Sequence, residues 1–284
     1  MNLTIIFDRL RWEEKALQRE AQTAGSGAAL VDAKGLVFDV TRAGRMNGFG
    51  ALVLQRCISY YRTLFLTRIL ENCGVEVINP YKVTEACGNK LVTTMLLARA
   101  KIPTPRTLVT LSSETVAEGA EQLGFPVVLK PFTGSWGRMV SVARDQETLQ
   151  SIVELREQLQ NPMEHMYYLQ EYVTRPPRDI RAVVAGDEIA ACVYRYAPEG
   201  DWRTNVARGG VSKAFKPDKQ LTDLIHRAAE AVGGGVLGVD AMESKEGYLV
   251  HEVNNTVEFR GAQSATEGSI AKKIIRYAIS RGRK

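Results

Sequence analysis

Histidine and cysteine are scarce in this chain of 284 residues, which holds three of the first and four of the second. Cys57, Cys73, Cys87 and Cys192 lie far apart and form no Cys-x-x-Cys pair, which argues against a zinc cluster. Nothing else points to an oxidising compartment, so the thiols are expected to be free and buried. Long apolar runs are missing as well: no segment approaches the ~20 consecutive apolar residues of a membrane span. The short apolar run from Met1 to Asp8 passes straight into Arg9, Arg11 and Glu13, without the basic start or small-residue cleavage site of a secretory signal. Internal repeats and low-complexity segments are also lacking. The expectation is a soluble cytoplasmic protein with no membrane partner.

What the chain does have is core-forming material: 45% of its residues are hydrophobic and 24% charged. At ~100–200 residues per domain, its length accommodates two or three compact units. Lys and Arg outnumber Asp and Glu by 37 to 32. That excess favours anionic partners (nucleotide, acidic substrate, acidic protein or nucleic acid) without choosing among them. Part of it lies in Arg281-Gly282-Arg283-Lys284, which reads equally well as a solvated tail.

Periodicity predicts strands over 3–7, 36–40, 51–54 and 75–78, alternating with helices over 12–24 and 60–73, which together describe a small parallel α/β unit. Asn89 caps a helix running to about residue 100. Strands follow over 108–111, 127–130 and 140–143, with helices over 114–123 and 147–160. Strands then dominate, over 167–173, 180–184, 188–196, 236–240 and 248–253, interrupted by helices over 220–232 and 269–280. The fold class is therefore α/β followed by two α+β pieces, divided as 1–83, 84–168 and 169–284.

Lys130 closes the apolar strand Phe125-Pro126-Val127-Val128-Leu129, where a buried lysine can deliver its ammonium to a phosphate in a cleft. A lone lysine in that position more often exits to solvent. The segment that follows, Thr133-Gly134-Ser135-Trp136-Gly137-Arg138, changes the balance. Glycines let backbone N–H groups approach phosphate oxygens, and Arg138 adds a planar donor fork. No Gly-Lys-Ser/Thr enters a helix there, so this is not a Walker loop. Near the C-terminus, Asp240 ends one strand, and Glu252 and Asn254 share one face of the next while His251 and Val253 face away. Two carboxylates and an amide oxygen on one surface suit Mg²⁺, although Asp240 alone reads as a strand-end acid in solvent.

Several motifs now fall into a familiar order. Asn89-Lys90, Val128-Leu129-Lys130-Pro131, the turn Gly134 to Arg138, Gln170-Glu171-Tyr172-Val173, Arg178-Asp179-Ile180-Arg181, and Asp240 with Glu252-Val253-Asn254 together resemble the ATP-grasp superfamily, RimK-like branch. Glu85-Ala86-Cys87-Gly88-Asn89-Lys90, Trp202-Arg203-Thr204-Asn205-Val206-Ala207-Arg208-Gly209-Gly210 and Asn255-Thr256-Val257-Glu258-Phe259-Arg260 are similar to the LysX/ArgX ligases. Those enzymes join an amino acid to the C-terminal glutamate of a small acidic amino-group carrier protein, in lysine or arginine biosynthesis.

The resemblance covers nearly the whole chain. It implies an ATP-grasp fold: an N-terminal parallel α/β domain, a central lid domain and a C-terminal domain, with ATP between the last two. It further implies that Lys90 and Lys130 touch the ATP phosphates and that Gly134, Ser135, Trp136, Gly137 and Arg138 form a mobile lid. Gln170, Glu171, Tyr172 and Val173 become the hinge whose backbone reads the adenine edge, with Asp179 and Arg181 following it as further nucleotide contacts. Arg195, Arg203 and Asn205 are placed at the reacting acyl phosphate. Asp240, Glu252 and Asn254 are placed on two Mg²⁺ ions. Asn255, Thr256, Glu258, Phe259 and Arg260 are placed on the acidic amino acid, α-aminoadipate or glutamate. A homodimer or homotetramer is the implied assembly.

Three other readings compete. A RimK-like enzyme would add glutamate to a ribosomal-protein tail or build polyglutamate, which a ladder of masses would reveal. A nucleotide-binding regulator without catalysis has no need of the retained carboxylate–amide set. A nucleic-acid binder is disfavoured, because the basic residues are scattered and no aromatic–basic RNA motif is present.

Overall fold

Leu3, Ile5 and Ile6 are buried on both faces of the first strand, as expected for the interior of a parallel sheet. The computed structural model describes residues 2–41, 48–50, 52–200, 203–204 and 209–282. Its N-terminal unit comprises β1 (Asn2–Phe7), α1 (Trp12–Thr23), β2 (Gly27–Asp32), β3 (Leu52–Gln55), α2 (Tyr60–Asn72) and β4 (Glu76–Ile78). The four strands pair in parallel in the order β2-β1-β3-β4. The strand expected over 36–40 is not formed. β2, in the Gly/Ala-rich stretch before it, already occupies that side of β1. Leu36 and Phe38 pack on the core beneath while Val37 stays 92% exposed, so the segment alternates like a strand without being one.

The central unit continues with α3 (Tyr81–Gly88), α4 (Lys90–Arg99), β5 (Thr107–Thr110), α5 (Val116–Leu123), β6 (Val127–Lys130), β7 (Ser141–Ala143), α6 (Gln146–Glu157) and β8 (Tyr167–Glu171). Asn89 caps α4 as expected, its side chain accepting from Leu91 N at 3.0 Å. The antiparallel order is β5-β8-β6-β7. β8 keeps Leu169, Gln170 and Glu171 in this sheet, so a division after residue 168 cuts through a paired strand.

The last unit has β9 (Arg178–Ala185), β10 (Glu188–Tyr196), β11 (Val211–Ala214), α7 (Lys219–Ala231), β12 (Val236–Ser244), β13 (Gly247–Asn254), α8 (Arg260–Ala265) and α9 (Ile270–Arg281). Its antiparallel order is β11-β10-β9-β12-β13. One face of this sheet shares a core with β1, α1 and α9, through Val183, Val193, Val236, Leu3, Leu17 and Ile274. The other face, with Ile180, Ala182, Leu237 and Val239, packs on α3, α4 and α7. Side-chain alternation then places Asp179 and Arg181 with Val183, Arg195 with Val193, and Asp240 with Val236. The first apolar face thus turns polar toward one end. Among the described residues, no helix is long and apolar enough to cross a membrane.

Candidate active site

A cleft of about 960 Å³ opens where the three units meet. Of the residues singled out above, its walls include Lys90, Lys130, Gly134 to Arg138, Asp179, Arg181, Arg195, Arg203, Asp240, Glu252, Asn254, Asn255, Thr256, Glu258 and Arg260. That volume sits at the upper end of the ~300–1,000 Å³ usual for small-molecule sites. Asn205 lies outside the described residues.

Two ammonium groups approach from different elements. Lys130, at the end of β6, is 8% exposed, and its Nζ donates to Gln170 Oε1 at 2.6 Å. Burial pulls its pKa down to about 8. Lys90 opens α4; its Nζ donates to Gly134 O at 2.8 Å and lies 3.6 Å from Glu252 Oε1. Between β6 and β7 the chain turns with Gly134 at φ +128° and Gly137 at φ +64°, values that favour glycine. Trp136 also takes a positive φ of +61°, and the Arg138 guanidinium lies 4.8 Å from its ring centre.

Opposite, Asp240 and Glu252 are register partners on β12 and β13. Asp240 lies inside β12, which continues to Ser244, rather than ending the strand as expected. Its carboxylate accepts two bonds from Arg181, one from Nη2 at 2.8 Å, and Asn254 Nδ2 donates to it at 3.3 Å. Burial pushes the Glu252 carboxyl up, and its positive neighbours, Lys90 foremost and Lys130 with it, together hold it below the ordinary range. Among the described residues, no group of three or more His, Cys, Asp or Glu forms a metal cage. Two carboxylates and one amide instead match the habit of Mg²⁺, which takes one or two protein carboxylates and completes its shell with phosphates and water.

His251 corrects the alternation argument. A register shift next to Asp240 pairs Ala241 with Val250, leaving His251 as an extra residue in β13. The imidazole therefore lines the cleft beside Glu252 instead of facing away. Both its ring nitrogens are buried without a hydrogen-bond partner, and burial followed by the nearby Lys130 charge drives its pKa down to about 3.

Asp179 and Arg195 act on each other. The Asp179 carboxylate accepts Arg195 Nε at 2.8 Å and Nη2 at 2.7 Å, and also the Thr204 hydroxyl. Arg195 Nη2 lies 3.3 Å from Asp240 Oδ1. Asp179 is thus committed to holding an arginine, a different task from the nucleotide contact the resemblance implies for it. The side chains of Gln170 and Glu171 are likewise engaged within the protein. Gln170, Glu171, Tyr172 and Val173 are not among the wall residues of the cleft. The Gln170 side chain holds Lys130 and, through Nε2, Thr107 Oγ1 at 3.0 Å, while Glu171 Oε1 accepts from Arg106 N at 2.8 Å. Phe259 is fully buried and packs edge-on against Trp12, which makes it a core residue rather than a substrate contact.

The sequence reading missed what holds the loop after β13. Asn79 Nδ2 donates to Asn255 O at 2.8 Å, and Arg56 Nη2 donates to Val257 O at 2.9 Å. Arg260 N donates to Glu13 Oε1 at 3.1 Å, and Arg11 Nη1 donates to Glu258 Oε1 at 2.9 Å. All four anchors lie in or next to the N-terminal unit. Only Arg11 carried a local signal, since Glu14 three residues on returns to accept its backbone N–H.

The chain is similar to known proteins over nearly its whole length. The RimK-like ATP-grasp domain family matches residues 87–278, and the LysX preATP-grasp domain family matches residues 3–86. The chain is 37% identical to an alpha-aminoadipate–LysW ligase LysX of Saccharolobus solfataricus, over 94% of this chain and 97% of that one. It is 34% identical to a glutamate–LysW ligase ArgX of Sulfurisphaera tokodaii, over 98% of each. A RimK domain ATP-grasp protein of Sphaerobacter thermophilus superposes with a TM-score of 0.80 at 26% identity, covering 98% of this chain and 100% of that one.

Proposed function

The chain belongs to the RimK-like ATP-grasp family, and on that premise we propose that it is an ATP-dependent ligase joining α-aminoadipate, or glutamate, to the C-terminal glutamate of a LysW-type carrier protein. The observation that carries this reading is the convergence of Lys90 and Lys130 with Asp240 and Glu252 on one cleft. Two ammonium groups facing two carboxylates in a partly dry space fit a metal-bound triphosphate, where each charge finds a partner.

In the proposed reaction the carrier carboxylate attacks the γ-phosphorus and ADP leaves. The α-amine then attacks the acyl phosphate, phosphate leaves, the amine gives up a proton and an amide forms. No side-chain nucleophile is required. Lys90 and Lys130 bind the phosphates, and the turn from Gly134 to Arg138 covers them and keeps water out. Arg195, fixed by Asp179, stabilises the acyl phosphate together with Arg203 and Asn205. Asp240, Glu252 and Asn254 would hold Mg²⁺, two ions in this proposal, which when bound neutralises phosphate charge. In this proposal the adenine extends past the cleft wall described above to the backbone of Gln170 to Val173. Asn255, Thr256 and Arg260 receive the acidic amino acid. The reaction is placed in the cytoplasm, with a homodimer or homotetramer as the working assembly.

The test is direct. Protein, ATP, Mg²⁺, carrier and α-aminoadipate should yield ADP, phosphate and a single mass addition on the carrier, with glutamate assayed in parallel. AMP with pyrophosphate would overturn the acyl-phosphate step, and a ladder of additions would favour a polyglutamate-type ligase. Glu252→Gln should abolish turnover while leaving the thermal midpoint close to that of the parent.

A further inference from the structure

Both oxygens of the Glu258 carboxylate are engaged by the protein itself. Oε2 accepts from the Trp136 indole Nε1 at 3.0 Å, across 122 residues of sequence, and Oε1 accepts from Arg11 Nη1 at 2.9 Å. These residues come from three places: the start of α1, the glycine turn between β6 and β7, and the loop between β13 and α8. The Arg11 side is rigid. Its Nη2 donates to Glu14 Oε1 at 2.7 Å, and its Nε donates to Glu14 Oε2 at 3.2 Å. Glu14 is fully buried and also takes Arg56 Nε at 3.2 Å. The Trp136 side is a turn held in a positive-φ conformation, with Arg138 stacked on its ring.

We infer that Glu258 is a positioning residue, a latch that holds the glycine turn down over the cleft against the N-terminal unit, and not a ligand for the incoming amino acid. Its negative charge is already matched by Arg11, and its second oxygen already has a neutral donor. A substrate ammonium would have to share a carboxylate whose charge Arg11 already matches. The indole N–H, by contrast, reaches the carboxylate only while the turn lies closed. The same contact makes closure depend on the N-terminal unit, because Arg11 sets where the carboxylate sits. An acyl phosphate partitions between amine and water, so the latch governs coupling, the number of ADP released per amide formed.

The coupling measurement rests on the ligase reading above; a second measurement does not. Trp136→Phe keeps an aromatic ring and removes the donor. In the ligand-free protein, tryptic cleavage after Arg138, followed by mass spectrometry, should accelerate several-fold in Trp136→Phe and in Glu258→Ala, with thermal midpoints near that of the parent confirming the fold. Glu258→Gln, which keeps one acceptor for the indole but loses the ion pair with Arg11, should fall between. In the complete reaction, the same variants should raise ADP per amide several-fold while the amino-acid KM moves less than twofold. Cleavage and coupling both within twofold of the parent in Trp136→Phe, with a tenfold rise in amino-acid KM for Glu258→Gln, would overturn the latch and return Glu258 to the substrate. If the parent forms no amide with any carrier and acid, the ligase reading fails, and tryptic cleavage still decides the latch.

Discussion

Lys130 Nζ donates to the carboxamide oxygen of Gln170 at 2.6 Å, from β6 to its neighbour β8. A carboxamide orients an ammonium group without neutralising it, so the positive charge stays available to a phosphate. Gln170→Glu should replace that orienting contact with an ion pair and raise the KM for ATP by roughly tenfold, the equivalent of ~1.4 kcal/mol. Gln170→Leu should instead leave a buried donor short of a partner and cost ~1–3 kcal/mol of stability. Steady-state ATP kinetics and thermal melts separate the two effects.

The pH dependence of ATP binding follows from the same lysine. Burial lowers its pKa to about 8, so the free enzyme loses this positive charge as pH rises through that value. kcat/KM for ATP should therefore fall on an alkaline limb near pH 8. Bound triphosphate is anionic and favours the charged lysine, which should move the corresponding limb of kcat to higher pH. Lys130→Arg, charged throughout, should lack the limb. A profile from about pH 7 to about 9.5 checks both statements.

Arg195 depends on Asp179 in a different way. Burial alone would raise the Asp179 carboxyl, but the Arg195 guanidinium and its hydrogen bonds outweigh that and hold its pKa at about 2, below the ordinary 3.8. A depressed carboxyl contributes stability that is full above its ordinary value and lost as pH falls through the folded one. Acid unfolding of the parent should therefore draw on this pair between about pH 4 and about pH 2. Asp179→Asn removes the charge but leaves a buried guanidinium, and should cost roughly 3–5 kcal/mol at neutral pH. Urea melts at neutral and acid pH measure it, and the difference between Asp179→Asn and the parent should narrow in acid.

What could be seen in the sequence was whatever depends on local pattern. Lys130, the glycine turn and the pair Asp240 and Glu252 each sit in a strand or turn whose periodicity is visible from a few neighbours. The segment over 36–40 shows the limit of that method, because its alternation was satisfied by a loop once β2 had taken the side of β1. His251 shows another, since one extra residue in β13 reversed the face that alternation assigned to it. The roles of Asp179, Gln170 and Glu258 were out of reach for a third reason. Each side chain answers to a partner brought up by tertiary structure, at separations of 16, 40 and 247 residues for Arg195, Lys130 and Arg11. The family resemblance marked these three as belonging to the site, while only the packed chain distinguishes a residue that touches a ligand from one that holds its neighbour.

Asn79 carries the last prediction, because it links the N-terminal unit to the loop proposed to receive the amino acid. Its Nδ2 donates to Val236 O at 2.7 Å and to Asn255 O at 2.8 Å, and its Oδ1 accepts from Val236 N at 2.7 Å. Asn79→Asp keeps the shape but turns an acceptor oxygen on two carbonyls, which should destabilise the protein by at least ~1–3 kcal/mol. Asn79→Ser, short of reach, should leave Asn255 unanchored and raise the amino-acid KM several-fold, while the ATP KM, set by Lys90 and Lys130 across the cleft, moves little. Gly235→Ala approaches the same contact from the other side. A Cβ at Gly235 would lie 2.2 Å from Asn79 Oδ1, at a φ of +119° that already favours glycine. If the anchor sets the loop, this variant should reproduce the selective rise in amino-acid KM without touching any residue of the cleft wall. Equal rises in both KM values would mean that Asn79 supports the whole cleft and not the loop in particular.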